Sequence, residues 1–288
     1  MSTKVAVVTG SNKGIGLAVV RALCKQFNGD VYVTSRDVGR GEEAVKTLNS
    51  EGLKPKFHQL DINDLNSIKN AAAYFKGKYG GVDILINNAG IAFKASDTTP
   101  FGVQAEVTLR TNFFATRDVL THFLPLVKAG GHVVNVSSML SASGLKQCSP
   151  ELQQRFRSED ITEDELVALM QRFVDEAKKG EHKQGGWPDM SYAVSKIGVT
   201  VRLNTLSLDF YLTRLQNMLK KMSTVVSTVA SQQEGPEFNS TFSLSVWSLH
   251  VPPVLAWVLP RWVLPRWVLP RYSGFLPQSK DMHFVGIG

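Results

Sequence analysis

Short runs of apolar residues alternate along the first half of the chain with longer segments in which apolar residues recur every three or four positions. The short runs are rich in Val and Ile, which is typical of strands buried on both faces of a parallel sheet. The longer segments have the spacing of helices that cover such a sheet. The pattern therefore predicts an α/β fold with a doubly wound parallel sheet. Strands are predicted at 4–9, 30–35, 56–61, 82–87 and 132–137, and helices at 14–27, 40–51, 64–79 and 103–127.

After the fifth predicted strand, two helix starts indicate a small helical insertion over about 149–187. Ser149 before Pro150 matches a helix cap followed by proline at the first helical position, and Thr162 with Glu165 matches a capping box. The second helix carries an apolar stripe that is predicted to be core rather than a cofactor site. The members of this stripe are Leu166, Leu169, Met170, Phe173 and Ala177.

The composition of the chain changes after a further helix, which is predicted to start at Tyr192. Trp-Val-Leu-Pro-Arg occurs three times in tandem over 257–271, and a proline at every fifth position excludes a membrane-spanning helix. A strand is suggested at 223–229. We therefore predict a domain over 1–222 and an atypical low-complexity tail over 223–288. The tail is expected to be poorly ordered, and contact of its tryptophans with a membrane surface is the alternative.

Charge and cysteine content narrow the classes of function. The net charge is +7, but residues 1–201 hold 24 Lys and Arg against 21 Asp and Glu, without a basic stripe interleaved with aromatic residues. A nucleic-acid partner is therefore not expected. Cys24 and Cys148 form neither a disulfide framework nor a metal-ligand spacing, so we expect no metal and a reducing compartment. The first residues show no signal-like pattern, which favours the cytoplasm.

A glycine-rich turn joins the first predicted strand to the first predicted helix. Gly10 permits a tight turn, Gly14 lets the backbone approach a pyrophosphate, and Gly16 allows the helix to pack closely. The start of that helix offers unpaired N–H groups and the positive end of the helix dipole to an anion. Strand, glycine turn and helix in this order predict a Rossmann-type dinucleotide site.

The residues after the second predicted strand favour NADP over NAD. In this fold NAD is usually held by an acidic residue at that place, which binds the adenosine ribose. Here the strand is followed by Arg36, with Lys13 on the glycine turn, and two cations suit a 2′-phosphate. Asp37 comes next, and a solvated surface arginine is the alternative interpretation of Arg36.

Polar residues also follow the third and fourth predicted strands. Asp61 is placed to accept a hydrogen bond from an adenine amino group, to cap the following helix, or to do both. Asn87-Asn88-Ala89-Gly90 suits a loop that stabilises the sheet and touches a cofactor. The same four residues also fit a simple turn.

Ser138, Tyr192 and Lys196 form the candidate catalytic group. Tyr192 and Lys196 are four residues apart and share one face of a helix. A phenol has a pKa near ~10, and a neighbouring ammonium with a positively charged nicotinamide would lower that pKa. Tyr192 would then donate a proton to a carbonyl oxygen as hydride reaches the carbon, while Ser138 holds the oxygen and Lys196 binds the nicotinamide ribose. Because Tyr-x-x-x-Lys is common on helices, the pair gains weight only beside the other motifs.

Together, these motifs resemble the short-chain dehydrogenase/reductase family over residues 1–201. The resemblance implies a Rossmann fold and an oxidoreductase. The matching motifs are Thr9-Gly10-x-x-x-Gly14-Ile15-Gly16, Asp61, Asn87-Asn88-Ala89-Gly90, Asn112, Ser138 and Tyr192-x-x-x-Lys196.

Within that family, the chain resembles most closely the cytosolic NADPH-dependent carbonyl reductases, through segments 9–16, 57–62, 87–94 and 149–154 and through the helical insertion. The resemblance implies reduction of quinones, aldehydes and ketones, with Asn112 maintaining a proton relay through water to Lys196. It also implies a monomer, because the insertion covers the helix face that most relatives use to form oligomers. The implied catalytic residues are Asn112, Ser138, Tyr192 and Lys196. The implied cofactor-binding residues are Gly10, Asn12, Lys13, Gly14, Ile15, Gly16, Arg36, Asp61, Ile62, Asn88, Tyr192 and Lys196.

The resemblance ends near residue 201. The family's next strand, its Pro-Gly loop over the nicotinamide and its substrate-side helices are not recognisable in 202–288, which contains no Pro-Gly pair. A splice variant, a frameshift or a gene-model error would each give such a break. If 224–230 does not replace the missing strand, an open sheet edge promotes aggregation. The alternative function is therefore a variant that binds NADP weakly without useful catalysis.

Overall fold

The computed structural model of the chain describes residues 3–205, 245–247 and 285–286. The predicted strand at 223–229, the tandem repeats at 257–271 and the proposed domain boundary after residue 222 lie outside the described residues.

Strands and helices alternate as the sequence predicts. The strands are β1 (Val5–Val8), β2 (Asp30–Ser35), β3 (Lys56–Gln59), β4 (Val82–Asn87), β5 (Val127–Val136), β6 (Ser245–Trp247) and β7 (Val285–Gly286). The helices are α1 (Gly14–Gln26), α2 (Val38–Ser50), α3 (Leu65–Tyr79), α4 (Phe101–Leu109), α5 (Ala115–Phe123), α6 (Leu140–Gln147), α7 (Pro150–Arg157), α8 (Glu163–Lys179) and α9 (Ser191–Thr205).

The described residues fall into two compact units. The first contains the chain up to Ile91 together with Arg110–Val136. The second contains Ala92–Leu109 and the described residues from Ser137 onward. The first unit thus holds β1 to β5, and the second holds α4, α6 to α9 and the antiparallel pair β6 and β7.

In the first unit, β1 to β5 form a parallel sheet in the order β3-β2-β1-β4-β5, which confirms the predicted doubly wound α/β class. All four residues of β1 are fully buried, as its uninterrupted apolar run predicts. The strand order reverses between β1 and β4, and folds of this type bind ligands at the carboxyl ends of the strands at that point. The segments that follow Val8 and Asn87 therefore lie where a ligand is expected.

The single helix predicted at 103–127 is wrong. The chain forms α4, a π-helical turn at Arg110–Phe114, α5 and a 3₁₀ turn at Leu124–Leu126. β5 then starts at Val127 rather than at residue 132. Pro125 lacks the N–H group that a continuing helix needs, and β4 pairs with β5 across an irregular register.

The second unit contains the predicted helical insertion. Ser149 caps α7 by accepting a hydrogen bond from the Leu152 N–H, and Thr162 with Glu165 forms a capping box on α8, so both predicted helix starts are confirmed. The predicted apolar stripe of α8 is buried except for Leu169, which is half-buried. α8 packs against α4 and α9, and α6, which the sequence did not predict, packs against α9.

No described helix combines the length and the apolar character that crossing a membrane requires.

Candidate active site

The glycine turn between β1 and α1 needs all three of its glycines. Gly10 and Gly14 have φ angles of 60° and 55°, a conformation that residues with a side chain rarely adopt. A Cβ on Gly10 would lie 2.8 Å from Ala89, whereas no described atom lies within 4 Å of the Cβ position of Gly14. A Cβ on Gly16 would lie 2.7 Å from the Cα of Ser11. Gly16 therefore lets the turn fold back on itself, in addition to bringing a helix close to its strand.

The start of α1 is open to an anion. Its N-cap residue, Lys13, is extended and makes no side-chain cap hydrogen bond among the described residues, whereas the side chains of Asp37 and Asp64 cap α2 and α3. The first turn of α1 also lacks acidic residues. Unpaired N–H groups beside an open turn fit the pyrophosphate of a dinucleotide. Half-buried on the same turn are Asn12 and Ile15.

The predicted loop after β4 holds the glycine turn in place. The Asn88 side-chain amide donates to the carbonyl oxygens of Thr9 and Gly10 at 3.0 and 3.1 Å. The Thr9 hydroxyl accepts from the backbone N–H groups of Asn88 and Ala89, both at 3.1 Å. The loop is therefore more than a simple turn, because it fixes the two strand ends that flank the reversal point.

Ser11 also holds this turn, although the sequence analysis overlooked it. Its hydroxyl donates to the Val8 carbonyl at 2.7 Å and accepts from the Thr34 N–H at 3.0 Å, and its side chain is fully buried. It thereby joins the ends of β1 and β2. The signal in the sequence was a small hydroxyl residue directly after the first glycine of the turn.

The residues predicted to favour NADP lie at the surface. Arg36 and Lys13 are both exposed. Asp37, the acidic residue beside them, caps α2 by accepting from the Arg40 N–H at 2.8 Å, and its carboxylate pairs with the Arg40 guanidinium at 3.3 Å. Asp37 is therefore held mainly by Arg40, and the contact of Arg36 and Lys13 with a 2′-phosphate stays a prediction.

Asp61 does not cap the helix that follows it. β3 ends at Gln59, earlier than predicted, and the cap of α3 is Asp64. The Asp61 carboxylate instead accepts from the Asn63 N–H at 2.9 Å. The contact with adenine stays a prediction for Asp61, as does the cofactor contact of the buried Ile62.

Asn112 lies in the π-helical turn that interrupts the predicted long helix. Its side-chain amide accepts from the Ile91 N–H at 2.8 Å and donates to the Ile91 carbonyl at 2.9 Å. The side chain is almost completely buried. The amide of Asn112 thus binds both backbone groups of Ile91, the residue that follows Gly90 in the loop after β4, and π-helical turns of this kind often mark functional sites.

Ser138, Tyr192 and Lys196 come together in the second unit. The side chain of Ser138 forms a hydrogen bond with that of Tyr192. The Lys196 Nζ lies 5.7 Å from the centroid of the Tyr192 ring. Ser138 and Lys196 are buried, and Tyr192 is half-buried.

Two features hold α9 in position. The Thr200 hydroxyl donates to the Lys196 carbonyl oxygen at 2.8 Å and accepts from the Ser137 hydroxyl at 2.6 Å, which also lies 3.3 Å from that carbonyl oxygen. Where α6 crosses α9, a Cβ on Gly144 would lie 2.7 Å from the Cβ of Ala193. The bare Gly144 backbone therefore lets the segment after Ser138 approach the residue next to Tyr192.

Burial changes the pKa values of Tyr192 and Lys196 in opposite directions. Loss of hydration lowers the pKa of Lys196 to about 8. Burial raises the pKa of Tyr192, and the hydrogen bond with Ser138 offsets part of that rise. The lowering of the Tyr192 pKa beside a bound, positively charged nicotinamide stays a prediction. A lysine with a pKa near 8 exists in both protonation states at mildly alkaline pH, so Lys196 is able to exchange protons.

The comparison with protein families agrees with this geometry. The family described as short chain dehydrogenase matches residues 4–150, which is about half of the chain. The chain belongs to the short-chain dehydrogenase/reductase family. Within this family, human carbonyl reductase (NADPH) 1 is 63% identical over 197 residues, which cover 68% of this chain and 71% of that protein. The bovine carbonyl reductase (NADPH) 1 is 60% identical over 200 residues, covering 69% and 72%.

Solved reductase structures share the fold. Menthone neomenthol reductase from Mentha piperita superimposes with a TM-score of 0.66 at 25% identity, covering 82% of this chain and 97% of that chain. Salutaridine reductase from Papaver somniferum gives a TM-score of 0.63 at 29% identity, covering 70% and 81%.

The structure groups the predicted site residues of this short-chain dehydrogenase/reductase in two sets. The glycine turn, Asn88 and Asn112 belong to the first unit, and the serine, tyrosine and lysine of the candidate catalytic group belong to the second. The proton relay from Asn112 to Lys196 stays a prediction, as do the individual contacts with a cofactor.

Proposed function

We propose that the chain reduces carbonyl compounds with NADPH, converting quinones, aldehydes and ketones to hydroquinones or alcohols. The observation that carries this proposal is the group formed by the buried Ser138 and Lys196 with the half-buried Tyr192, in which the serine binds the phenol and the lysine lies beside the ring. The relatives at about 60% identity are named carbonyl reductase (NADPH). Those identities favour an active enzyme over the alternative of an NADP-binding variant without useful catalysis.

The cofactor proposal rests on the glycine turn and the cations near it. Gly10, Gly14 and Gly16 with the open start of α1 would hold the pyrophosphate, and Lys13 and Arg36 would hold the 2′-phosphate. When bound, the reduced nicotinamide supplies the hydride. Asn12, Ile15, Asp61, Ile62 and Asn88 are the further residues that we assign to cofactor binding.

Side chains of the second unit donate the proton and stabilise the negative charge that develops during the reaction. Tyr192 donates its phenolic proton to the substrate carbonyl oxygen, and Ser138 stabilises the charge that develops on this oxygen. Because burial raises the pKa of Tyr192, the phenol holds its proton until an oxygen of rising basicity accepts it. Lys196 stabilises the resulting phenolate and, with its pKa near 8, returns a proton to it, for which the Asn112 relay is the proposed source.

A cytoplasmic monomer is the form that we propose for this enzyme. α8 packs against α4 and α9, and its residues Leu166, Met170 and Phe173 are fully buried. Because α8 packs its apolar stripe on α4 and α9, it covers a surface on which a second copy would otherwise pack. Sedimentation analysis of the full chain tests the proposal, because a dimer would contradict it.

The function is tested by following the loss of NADPH absorbance with a simple quinone and with an aromatic aldehyde, using the full-length chain. We expect Tyr192→Phe to lower kcat by about a hundredfold or more, because general acid catalysis typically contributes that much. Tyr74→Phe on α3 removes a phenolic hydroxyl outside the catalytic group and is the matched control. Equal rates for the wild type and Tyr192→Phe, or no turnover by folded wild type that binds NADPH, would contradict the proposal.

A further inference from the structure

A second tyrosine–lysine pair with the same four-residue spacing lies on α3 in the first unit. The Lys78 Nζ donates to the Tyr74 phenolic oxygen at 2.8 Å and to that of Tyr32 at 3.2 Å. Tyr74 is half-buried and Lys78 is exposed. Here the ammonium binds the phenol directly.

The hydrogen bonds around Tyr74 form a chain with one defined direction. Tyr79 donates to the Asp30 carboxylate at 2.5 Å, so its oxygen must accept in the 3.0 Å contact with Tyr32. Tyr32 has then used its proton, and Tyr74 must donate in their 2.8 Å contact. The neutral chain therefore runs from Tyr74 through Tyr32 and Tyr79 to Asp30, with Lys56 also bound to Asp30 at 2.5 Å.

This arrangement also suits an ionised Tyr74. If Tyr74 loses its proton, Tyr32 turns its hydroxyl toward the phenolate, which then accepts hydrogen bonds from both Tyr32 and Lys78. Burial alone would raise the pKa of Tyr74, but the hydrogen bonds from Lys78 and Tyr32 and the charges of Lys78 and Lys56 outweigh it and lower the pKa.

Burial disfavours the charged forms of the neighbouring rings Tyr32, Tyr79 and His58. Burial is the main cause that raises the pKa of Tyr32 and of Tyr79, so these phenols keep their protons. The His58 ring stacks on Tyr74 with centroids 4.4 Å apart, and burial lowers the pKa of His58. Of the three phenols in the cluster, Tyr74 is thus the one whose pKa is lowered by its neighbours.

We propose that Tyr74 is a nucleophilic phenol and a modification site for activated acyl compounds, with Lys78 and Tyr32 as the groups that stabilise its oxyanion. In the reaction, the Tyr74 oxygen forms a bond with the acyl carbon, and the bond from that carbon to the leaving group breaks. The phenolic proton passes to the leaving group. No oxidant, metal or cofactor takes part, and the proposal is independent of the reductase activity.

The experiment uses N-acetylimidazole on the full-length chain, with peptide mass spectrometry to follow each tyrosine over time. Acetyl transfer from this reagent forms the tyrosine ester and releases imidazole, and hydroxylamine removes the ester but leaves acetylated lysines intact. We expect Tyr74 to react faster than N-acetyltyrosinamide at neutral pH. Lys78→Met should slow Tyr74 several-fold, because the loss of the ammonium raises the Tyr74 pKa and lowers the fraction of phenolate.

Matched variants separate this role from a general effect on the fold. Lys76→Met removes an exposed lysine two residues away on α3 and should leave the rate at Tyr74 unchanged, while Tyr32→Phe should slow it. The pH at which Tyr74 becomes reactive should rise in Lys78→Met, and the reductase activity should be unaffected. Equal Tyr74 rates in the wild type and Lys78→Met, or a rate no higher than that of N-acetyltyrosinamide, would overturn the proposal.

Discussion

Replacing Gly144 by alanine tests the helix crossing that positions the candidate catalytic group. Alanine in a helix is normally about 1 kcal/mol more favourable than glycine. At this position, however, the added Cβ would lie 2.7 Å from the Ala193 Cβ, where ordinary contact needs 3.4 to 4 Å. The two helices would have to separate by several tenths of an ångström or more, and overpacking of this kind typically destabilises by about 1–3 kcal/mol. After the gain in helix propensity is subtracted, we expect a net loss of up to about 2 kcal/mol in the free energy of unfolding.

The double variant Gly144→Ala/Ala193→Gly moves the methyl group from one helix to the other. It relieves the overlap, and the two changes in helix propensity offset each other, so its stability should return close to that of the wild type. Gly77→Ala is the matched control, because no described atom lies within 4 Å of that Cβ position on α3, and it should stabilise slightly. Urea unfolding with an unchanged m-value gives these energies. If Gly144→Ala stabilises as Gly77→Ala does, the close crossing of α6 and α9 is wrong.

Three further predictions address the charge, the loop and the cofactor. The Lys196 pKa is lowered to about 8 from 10.5, so between these pH values the unfolded state binds more protons than the folded state and the free energy of unfolding should rise with pH. Lys196→Met should remove this rise in urea unfolding, and an unchanged dependence of the unfolding free energy on pH would contradict the prediction. Asn112→Ala removes both hydrogen bonds to Ile91 and should lower the unfolding free energy by about 1–3 kcal/mol, whereas a loss below the error of the measurement would contradict the pairing. Arg36→Ala should weaken NADP binding by about tenfold or more without affecting NAD binding, as measured by calorimetry. Lys25→Ala at the other end of α1 should change the affinity for neither cofactor. Equal effects of Arg36→Ala on both affinities would refute the role of Arg36.

The sequence predicted the elements from β1 to β4 well because their signals are local. The buried β1, the glycine turn and the start of α1 agree within a residue, since glycine conformation and apolar periodicity act over a few positions. The same holds for the caps at Ser149 and Thr162. Asp61 shows the limit of this reasoning, because a second aspartate three residues later takes the capping role.

The features that the sequence did not predict depend on distant contacts. The π-helical turn at Asn112 is stabilised by the backbone of Ile91, 21 residues away. α6 has no clear apolar period, and its close approach through Gly144 requires a small residue on α9. The cluster of Tyr32, Tyr74 and Tyr79 joins a strand to a helix more than 40 residues later. Such contacts do not produce a periodic pattern of residues in the sequence.

The pKa of Tyr192 illustrates why residue spacing does not determine electrostatics. The four-residue spacing of Tyr192 and Lys196 suggested that the ammonium, with a bound nicotinamide, would lower the phenol pKa, but the spacing contains no information on burial. In the structure, burial disfavours the charged form of both side chains and changes the two pKa values in opposite directions. The position of the pair on a helix was predictable, whereas its protonation needed the packed structure.

The central claim, that this chain transfers hydride from NADPH to a carbonyl carbon with Tyr192 as the acid, is tested most directly by isotope transfer. The full-length protein is supplied with NADPH carrying deuterium at the transferred position and with an aromatic aldehyde, and the alcohol is analysed by mass spectrometry. The account predicts one deuterium on the carbinol carbon with the wild type and Tyr74→Phe, and a rate lowered by about a hundredfold or more with Tyr192→Phe. Alcohol without deuterium, or no alcohol from folded protein that binds NADPH, would contradict it.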